Sequence, residues 1–355
     1  EAIYQLLTKK FKVRESIKNY NNEIGVPLTI LGSRNPEKSL FGWLKVFLKA
    51  FFLTLFRKRN YPQILILEMA ADKPGDLRYL MEIIPRGLLK VVVLTAVAPT
   101  HLEFFGSIEN IFKEKIIPFS YLSKTGLAVV NKDNCDFEKI KPLIASKIIT
   151  YGIEKPADIK VSDISLKENG LEFKLNFRGK TTSSFLKDGI SKYQLYPVLA
   201  AAGLGIFYGM DLEQISEGLK KYRLLRGRMR KIEGKRDSII IDDTYNSSPE
   251  AARRALEALA HFPFGKRKIA VLGDMLELGQ ASEKLHRQIG RVVAELRIDY
   301  LITFGKKAKY IFDEARKAGF PPGQSFQFED FDKVSDLVEN LIKPGDVLLI
   351  KGSRA

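Results

Sequence analysis

The stretch Val91–Lys115, VVVLTAVAPTHLEFFGSIENIFKEK, decides the fold class of this chain. It opens with β-branched apolar residues without polar alternation, a pattern that predicts a strand buried on both faces, as in the parallel sheet of an α/β protein. His101 and Glu103 follow at the carboxyl end of this strand, and Ser107 is suited to cap the next helix. Because open α/β sheets bind ligands outside this end, we predict that His101 lies in a functional site, with a hydrogen-bonded structural histidine as the alternative.

The composition limits the class of protein. With 355 residues, 45% of them hydrophobic, the chain is long enough for two folded domains. Lys and Arg number 58 and Asp and Glu 42, so the formal net charge of +16 favours nucleic acid, an anionic membrane surface or a phosphorylated substrate as partner. Because the cations are spread along the chain without a nucleic-acid-binding signature, we predict no nucleic-acid partner. The single Cys135 excludes a disulfide framework and a thiolate metal cluster.

The most apolar run is GWLKVFLKAFFLTLF, residues 42–56, which is followed by three basic residues at 57–59. It is too short to cross a membrane and contains Lys45 and Lys49, so we predict an amphipathic helix rather than a transmembrane one. The two lysines share one face of this helix. The remaining broad apolar face is predicted to pack on the protein or to contact a membrane peripherally.

Three further segments refine the first half of the chain. The apolar run ILILEMA, residues 64–70, predicts a second buried strand, and Glu68 near its end is either a solvated carboxylate or one that meets His101 or a metal. Asn21 and Asn22 lie in a polar turn that is either a surface loop or a ligand-facing one. Period-two alternation over residues 157–186, around Asn169-Gly170, predicts a small antiparallel patch beside the parallel sheet.

The second half alternates predicted strands with predicted helices, which indicates another parallel α/β domain. The strands are expected near 238–242, 269–272, 300–304 and 347–350, and the helices near 249–261, 282–297, 306–318 and 331–342. The segment LLRGRMR, residues 224–230, precedes this alternation. We therefore predict two domains, 1–227 and 228–355.

Six motifs, taken together and in order, resemble those of the Mur ligase family. They are NNEIGVP (21–27), LEMAADKPGD (67–76), THLEFFGS (100–107), DDTYNSSP (242–249), GDMLELG (273–279) and KGSR (351–354). The resemblance implies a central parallel-sheet ATPase domain followed by a Rossmann-like domain. It also implies a monomeric, cytoplasmic, ATP- and Mg²⁺-dependent amide-bond ligase of peptidoglycan-precursor synthesis. Its substrates would be UDP-N-acetylmuramoyl-tripeptide and D-alanyl-D-alanine, joined through an acyl phosphate.

The resemblance also implies roles for individual residues. Glu68 and His101 would bind magnesium, Lys115 would be carbamylated and help to hold the metal, and Arg228 would face the γ-phosphate; His101, Lys115 and Arg228 are thus the expected catalytic residues. The residues expected at the nucleotide are Gln194, Arg228, Asp243 on the ribose, Tyr245 and Asn246. Those expected near the acceptor or the dipeptide are Asn21, Asn22, Asp274, Glu277, Lys351, Ser353 and Arg354.

Departures from the family pattern leave alternatives open. The chain contains no G-x-x-x-x-G-K-[ST] loop, which the family has just ahead of the helix that begins here, so we expect this chain alone, cut at both ends, to be inactive. The family's G-x-H-N-x-x-N helix start, which supplies adenine contacts, appears here as SKYQLYP (191–197), with Tyr193, Gln194 and Pro197 in place of the expected His, Asn and Asn. The rivals are a Mur-type ligase acting on another amino acid, folate or a polymer, and a non-catalytic scaffold without the phosphate loop.

Overall fold

The computed structural model describes residues 1–17, 20–56 and 61–353. This part of the chain folds as a mixed α/β protein with two six-stranded sheets and a two-stranded sheet. The strands are β1 (Val13–Glu15), β2 (Ile64–Ile66), β3 (Val91–Leu94), β4 (Leu127–Asn131), β5 (Lys147–Gly152), β6 (Ile159–Lys167), β7 (Gly170–Phe177), β8 (Lys180–Lys187), β9 (Arg230–Glu233), β10 (Ile239–Asp243), β11 (Lys268–Gly273), β12 (Tyr300–Phe304), β13 (Ser325–Phe328) and β14 (Val347–Lys351).

Helices cover the sheets and connect their parallel strands. They are α1 (Ala2–Leu7), α2 (Gly25–Leu31), α3 (Leu40–Leu55), α4 (Asp76–Glu82), α5 (Leu102–Phe105), α6 (Ile108–Lys115), α7 (Phe137–Ile140), α8 (Tyr196–Phe207), α9 (Leu212–Leu219), α10 (Pro249–Ala260), α11 (Ser282–Glu295), α12 (Lys309–Lys317) and α13 (Phe331–Leu341). The predicted fold class is confirmed.

The first large sheet has the order β3-β4-β5-β6-β7-β8. Strands β3 to β6 run parallel, whereas β6, β7 and β8 form an antiparallel meander, as the alternation around Asn169-Gly170 predicted. Val129 of β4 packs into the core beneath α1 and α8, while its neighbour Val130 packs into the core on the opposite face. Because both faces of this strand are buried, the continuous apolar run of a parallel strand is explained.

The second large sheet has the order β13-β12-β11-β14-β10-β9, in which β9 alone of these six strands runs antiparallel to its neighbour. The predicted alternation of strands and helices is confirmed. Leu272 packs in the core beneath α10, α11 and α12, and Val271 packs on the other face with α13. Parallel strands bring their carboxyl ends to one edge, so the polar loops after β10, β11 and β14 lie close together.

The run at residues 64–70 differs from the prediction. Its strand covers only Ile64–Ile66, is half-buried, and pairs in parallel with β1 to form a separate two-stranded sheet. The chain leaves the extended conformation before Glu68, so this carboxylate is exposed instead of terminating a buried strand. The prediction of a second buried strand at this place was therefore wrong.

The apolar run at residues 42–56 forms the helix α3, as predicted. Its Ser39 cap accepts a hydrogen bond from the Gly42 amide. Val46 is the buried residue of this helix. Across the described ranges, the model has no helix whose length and apolar content would suffice to cross a membrane.

Candidate active site

His101 lies where the loop after β3 meets the loop after β11. Its Nδ1 atom is 2.7 Å from Glu277 Oε2, and its Nε2 atom is 3.6 Å from Asp72 Oδ1. The Nδ1 contact is close, but among the described residues this buried atom has no hydrogen-bond partner. The backbones of His101 and Glu277 are both left-handed, with φ values of 55° and 60°. Such strained non-glycine residues concentrate at functional sites.

Glu68 and Asn21 are brought together beside the small sheet. The Asn21 side-chain amide donates a hydrogen bond of 3.1 Å to Glu68 Oε1, and the Ala70 amide donates to the Asn21 carbonyl. The Glu68 amide in turn donates to Ser16 Oγ. The exposed carboxylate is therefore oriented by its neighbours, although Glu68 and His101 form no ion pair within the described part of the chain.

Lys115, the last residue of α6, turns back toward the loop that follows β3. Its Nζ atom donates a hydrogen bond of 3.0 Å to the Ala96 carbonyl, and burial lowers the pKa of this ammonium group. The preceding Glu114 is buried and accepts hydrogen bonds from the amides of Gly75 and Leu77, which fixes α6 against α4. Lys113 is exposed, so Lys115 is the lysine that the fold directs inward.

Magnesium is the metal expected from the sequence. Within residues 1–17, 20–56 and 61–353, no group of three or more His, Cys, Asp or Glu side chains is arranged to hold a metal. Magnesium on a nucleotide, however, is commonly bound by one or two protein carboxylates, with phosphate oxygens and water completing its shell. The exposed Glu68 carboxylate, held by Asn21, fits this requirement, while His101 is a softer and less typical ligand.

Arg228 lies at the connection between the two large sheets and stacks on Tyr245. Its guanidinium carbon is 3.9 Å from the centre of the Tyr245 ring. Gly227 has a φ of 71°, and a Cβ atom there would come within 2.9 Å of the Tyr245 amide nitrogen, so glycine is needed at this position. Asp242 accepts a hydrogen bond from the Gly227 amide. The exposed Arg228 and its aromatic support are thus held by the connecting segment.

Asp243 and Lys351 form a buried ion pair at the carboxyl ends of β10 and β14. Lys351 Nζ is 2.7 Å from Asp243 Oδ2 and also donates to the Asn246 carbonyl at 2.9 Å. Burial is the main reason that the pKa of Lys351 is lowered, and the neighbouring Arg228 acts in the same direction against the opposing effect of Asp243. The second oxygen of Asp243 accepts a hydrogen bond from the Met229 amide. The ammonium group of Lys351 and the carboxylate of Asp243 therefore bind mainly to other groups of the protein.

Gln194, which the sequence places beside the adenine, has its side-chain amide bonded to the protein's own backbone. Its Oε1 atom accepts hydrogen bonds from the amides of Ile190 and Ser191, and its Nε2 atom donates to the Met229 carbonyl at 2.9 Å. The side chain is buried. Gln194 thus ties the start of α8 to the connecting segment, and its amide is engaged by the protein's own backbone.

The other substrate residues expected from the sequence lie in structured loops. Asn22 Oδ1 accepts from the Gly25 amide at the start of α2, and Asp274 Oδ1 accepts from the Ala308 amide at 2.7 Å. Ser353 Oγ accepts from the Leu276 amide and so joins the loops after β14 and β11. Arg354 lies outside the described residues.

Two further residues at this site were not found from the sequence. Arg254 donates to Asn134 Oδ1 at 2.9 Å, and its guanidinium carbon is 4.5 Å from the Tyr193 ring centre, so it links α10 to the first large sheet. His286 is fully buried; it donates from Nδ1 to the Ser282 carbonyl and accepts at Nε2 from the Met275 amide. Its burial lowers the pKa of the imidazole, and the neutral ring fixes the loop that carries Glu277. The i, i+4 spacing of Ser282 and His286 was the available sequence signal.

The two large sheets, with charged loops meeting between them, define an α/β enzyme of two successive domains. Residues 50–205 match the family described as Mur ligase middle domain, and residues 227–354 match Mur ligase, glutamate ligase domain. The chain belongs to the Mur ligase family.

Similar proteins include UDP-N-acetylmuramoyl-tripeptide--D-alanyl-D-alanine ligases. The one from Bacillus subtilis (strain 168) is 27% identical over 354 residues, which are 100% of this chain and 70% of the relative. The one from Escherichia coli (strain K12) is 27% identical over 341 residues, 95% of this chain and 67% of the relative.

Solved structures of similar fold agree with these relatives. The MurF ligase from Thermotoga maritima, in complex with ADP, has a TM-score of 0.77 and 27% identity, with 100% of this chain and 73% of that chain covered. MurF from Acinetobacter baumannii has a TM-score of 0.79 at 23% identity, covering 99% of this chain and 70% of that chain, and supports the fold alone.

Proposed function

We propose that this chain forms the central and carboxy-terminal parts of an ATP-dependent ligase that adds D-alanyl-D-alanine to UDP-N-acetylmuramoyl-tripeptide. The observation that carries the proposal is its 27% identity, along the whole chain, with the Bacillus subtilis ligase of that name. The product is a peptidoglycan precursor, and the protein acts as a cytoplasmic monomer. The net charge of +16 suits substrates that carry phosphates and carboxylates.

The residues around His101 are proposed to serve the phosphoryl transfer that activates the acceptor carboxylate. Glu68 and His101 hold magnesium, and a carbamylated Lys115 adds a negative group on the inner side of α6. Magnesium, when bound, neutralises phosphate charge, which is the main requirement of this chemistry. Lys115 has the environment that carbamylation needs, because its lowered pKa favours the neutral, nucleophilic amine.

The residues beside the connecting segment are proposed to bind ATP. Arg228, which is exposed and stacked on Tyr245, is proposed to contact a γ-phosphate oxygen. Asp243, whose carboxylate also holds Lys351 and the Met229 amide, is proposed to accept a further hydrogen bond from the ribose, and Asn246 to lie beside the nucleotide. The amine of the dipeptide then displaces phosphate from the acyl phosphate, forming the amide bond.

Seven residues are proposed to recognise the two peptide substrates. They are Asn21, Asn22, Asp274, Glu277, Lys351, Ser353 and Arg354. Exposed Glu277 has the charge to attract the dipeptide's ammonium group, whereas buried Lys351 acts by holding the loops after β10 and β14. We also propose that residues 42–56 contact a membrane surface peripherally.

Phosphate release by the protein made from its complete reading frame tests this proposal. The assay contains UDP-N-acetylmuramoyl-tripeptide, ATP, magnesium and D-alanyl-D-alanine, and each is omitted in turn. We expect release that requires the dipeptide and that is lost in His101→Ala and Glu68→Ala. Release triggered equally by other amines would keep the ligase class but reject this substrate. No release under any of these conditions would favour a non-catalytic scaffold.

A further inference from the structure

Helix α3 presents its large apolar side chains to solvent. Of the 19 exposed large hydrophobic residues in the described part of the chain, nine belong to the single segment 40–56. They are Leu40, Phe41, Leu44, Phe47, Leu48, Phe51, Phe52, Leu55 and Phe56. Scattered exposed apolar residues are ordinary, but a continuous patch of this kind marks a binding surface.

The inward side of α3 is held partly by polar contacts. Lys49 Nζ donates a hydrogen bond of 2.6 Å to the Gly32 carbonyl, and Trp43 Nε1 donates to the Glu37 carbonyl at 3.1 Å. Val46, which lies between Trp43 and Lys49 in the sequence, is buried. An amphipathic helix of a globular protein normally faces its apolar side to the core. In α3 the apolar side faces solvent instead. Packing within the described chain therefore does not explain why the phenylalanines of this helix are present.

The charge around α3 indicates the chemistry of its partner. No acidic residue occurs from Lys38 to Leu67, whereas six basic residues do. They are Lys38, Lys45, Lys49, Arg57, Lys58 and Arg59. The sequence of this stretch therefore carries positive charge and no carboxylate, which favours an anionic partner. Basic residues next to an apolar helix are the two signals that together give stable attachment to anionic lipid.

We propose that α3 docks the protein on the surface of an anionic lipid bilayer. Its 16 residues span about 24 Å, and no described helix has the length and apolar content to cross a membrane, so α3 lies in the plane of the interface. Phe47, Phe51 and Phe52 enter the acyl region, and the exposed Lys45 meets the headgroups. This inference specifies the lipid class and orientation of the peripheral contact proposed above and is independent of the ligase activity.

Vesicle flotation of the full-length protein tests the proposal. Vesicles of phosphatidylglycerol and phosphatidylethanolamine are compared with vesicles of phosphatidylcholine alone. The test variant combines Phe47→Ser, Phe51→Ser and Phe52→Ser, and a second variant changes Arg57, Lys58 and Arg59 to Gln. The matched control makes the same number of exposed apolar-to-Ser changes outside α3, at Tyr79, Leu88 and Leu143.

We expect the wild type and the control to float with the anionic vesicles and the Ser variant to bind at least about tenfold more weakly. The Gln variant and raised salt should weaken binding as well. Circular dichroism and thermal unfolding check that each variant is folded, and phosphate release should stay within about twofold of wild type because α3 takes no part in the proposed chemistry.

Three results would overturn the proposal. The first is a wild type that stays unbound with anionic vesicles, and the second is equal flotation with phosphatidylcholine. The third is a wild-type dimer in sedimentation that becomes monomeric in the Ser variant while neither floats, since the patch would then bind a second copy. Failure of the ligase assay alone leaves the flotation result unaffected.

Discussion

His101 Nδ1 lies 2.7 Å from Glu277 Oε2, and this contact joins the loop after a strand of the first large sheet to the loop after a strand of the second. Both residues have left-handed backbones, and His101 is about three-quarters covered, with a side-chain exposure of 25%. The backbone strain, typically about 1–3 kcal/mol at each such residue, is borne where the two domains meet. The site is therefore assembled from both domains.

Replacing His101 tests its part in the reaction. We expect His101→Ala to lower kcat by roughly 10²-fold, because the role proposed for this histidine is to help stabilise charge on the transferring phosphoryl group. Steady-state phosphate release measures the effect. His261→Ala is the matched control, since His261 is exposed and bonded only to the carbonyl of Glu257 among its described contacts. Equal activity in the two variants would contradict a catalytic role for His101.

Lys115 and Lys113 allow a paired test on one helix. We expect Lys115→Ala and Lys115→Arg to lose at least about 10²-fold in kcat, because neither side chain can be carbamylated, and Lys113→Ala to stay within about twofold. Removing dissolved carbon dioxide should lower the wild-type rate, and bicarbonate should restore it. A wild-type rate that is independent of bicarbonate would argue against carbamylation, and full activity of Lys115→Arg would exclude it.

Much of the fold follows from the sequence because its signals are local. The β-branched run at Val91 predicts a buried parallel strand, and Asn169-Gly170 predicts the hairpin between β6 and β7. Glycine is needed at position 170, because a Cβ there would lie 2.2 Å from the carbonyl oxygen of Leu186 on the neighbouring strand β8. The prediction of a buried strand over residues 64–70 was wrong because the apolar composition alone fits a strand. The pairing with β1 that limits the strand to Ile64–Ile66 is a tertiary property, which composition does not show.

Gln194 shows why side-chain roles were harder to predict than elements. Its position in the motif suggested a nucleotide contact, whereas its amide bonds to backbone groups, including the distant Met229 carbonyl. The contact of His101 with Glu277 likewise depends on how the two large sheets are placed. The periodicity of a single sequence predicts helices and strands but not this placement. Asp274 stays a predicted substrate residue, and its hydrogen bond to the Ala308 amide could not be read from the sequence, because it depends on the strand order of the sheet.

Gln194→Ala is expected to reduce stability rather than nucleotide affinity. Removing the amide leaves the buried backbone groups of Ile190, Ser191 and Met229 without their partner, which should cost about 2–3 kcal/mol in the free energy of unfolding. Urea unfolding measures this loss, and KM for ATP should stay within about twofold of wild type. A large rise in KM for ATP with an unchanged free energy of unfolding would contradict this prediction and support a contact of Gln194 with the nucleotide.

His286 predicts a stability that depends on pH. Burial lowers the pKa of its folded imidazole below the ordinary value of 6.5, so the unfolded chain binds the proton more readily. Its contribution is therefore complete above about pH 6.5 and is lost as the pH falls toward the folded pKa. Urea unfolding from pH 8 to pH 5.5 should show the stability gap between wild type and His286→Gln narrowing on acidification. Exposed His261→Gln is the control, and a constant gap for His286→Gln would contradict the prediction.

The buried ion pair of Asp243 and Lys351 predicts that the two residues contribute non-additively to the free energy of unfolding. Lys351→Met leaves the Asp243 carboxylate buried without its cation, and the free energy of unfolding should fall by about 3–5 kcal/mol. Adding Asp243→Asn removes that charge, so the double variant should lose less than the sum of the two single losses. Urea unfolding of all four proteins completes the cycle. Additive losses would show that the 2.7 Å contact contributes little, and Lys351 would then be available to a substrate carboxylate.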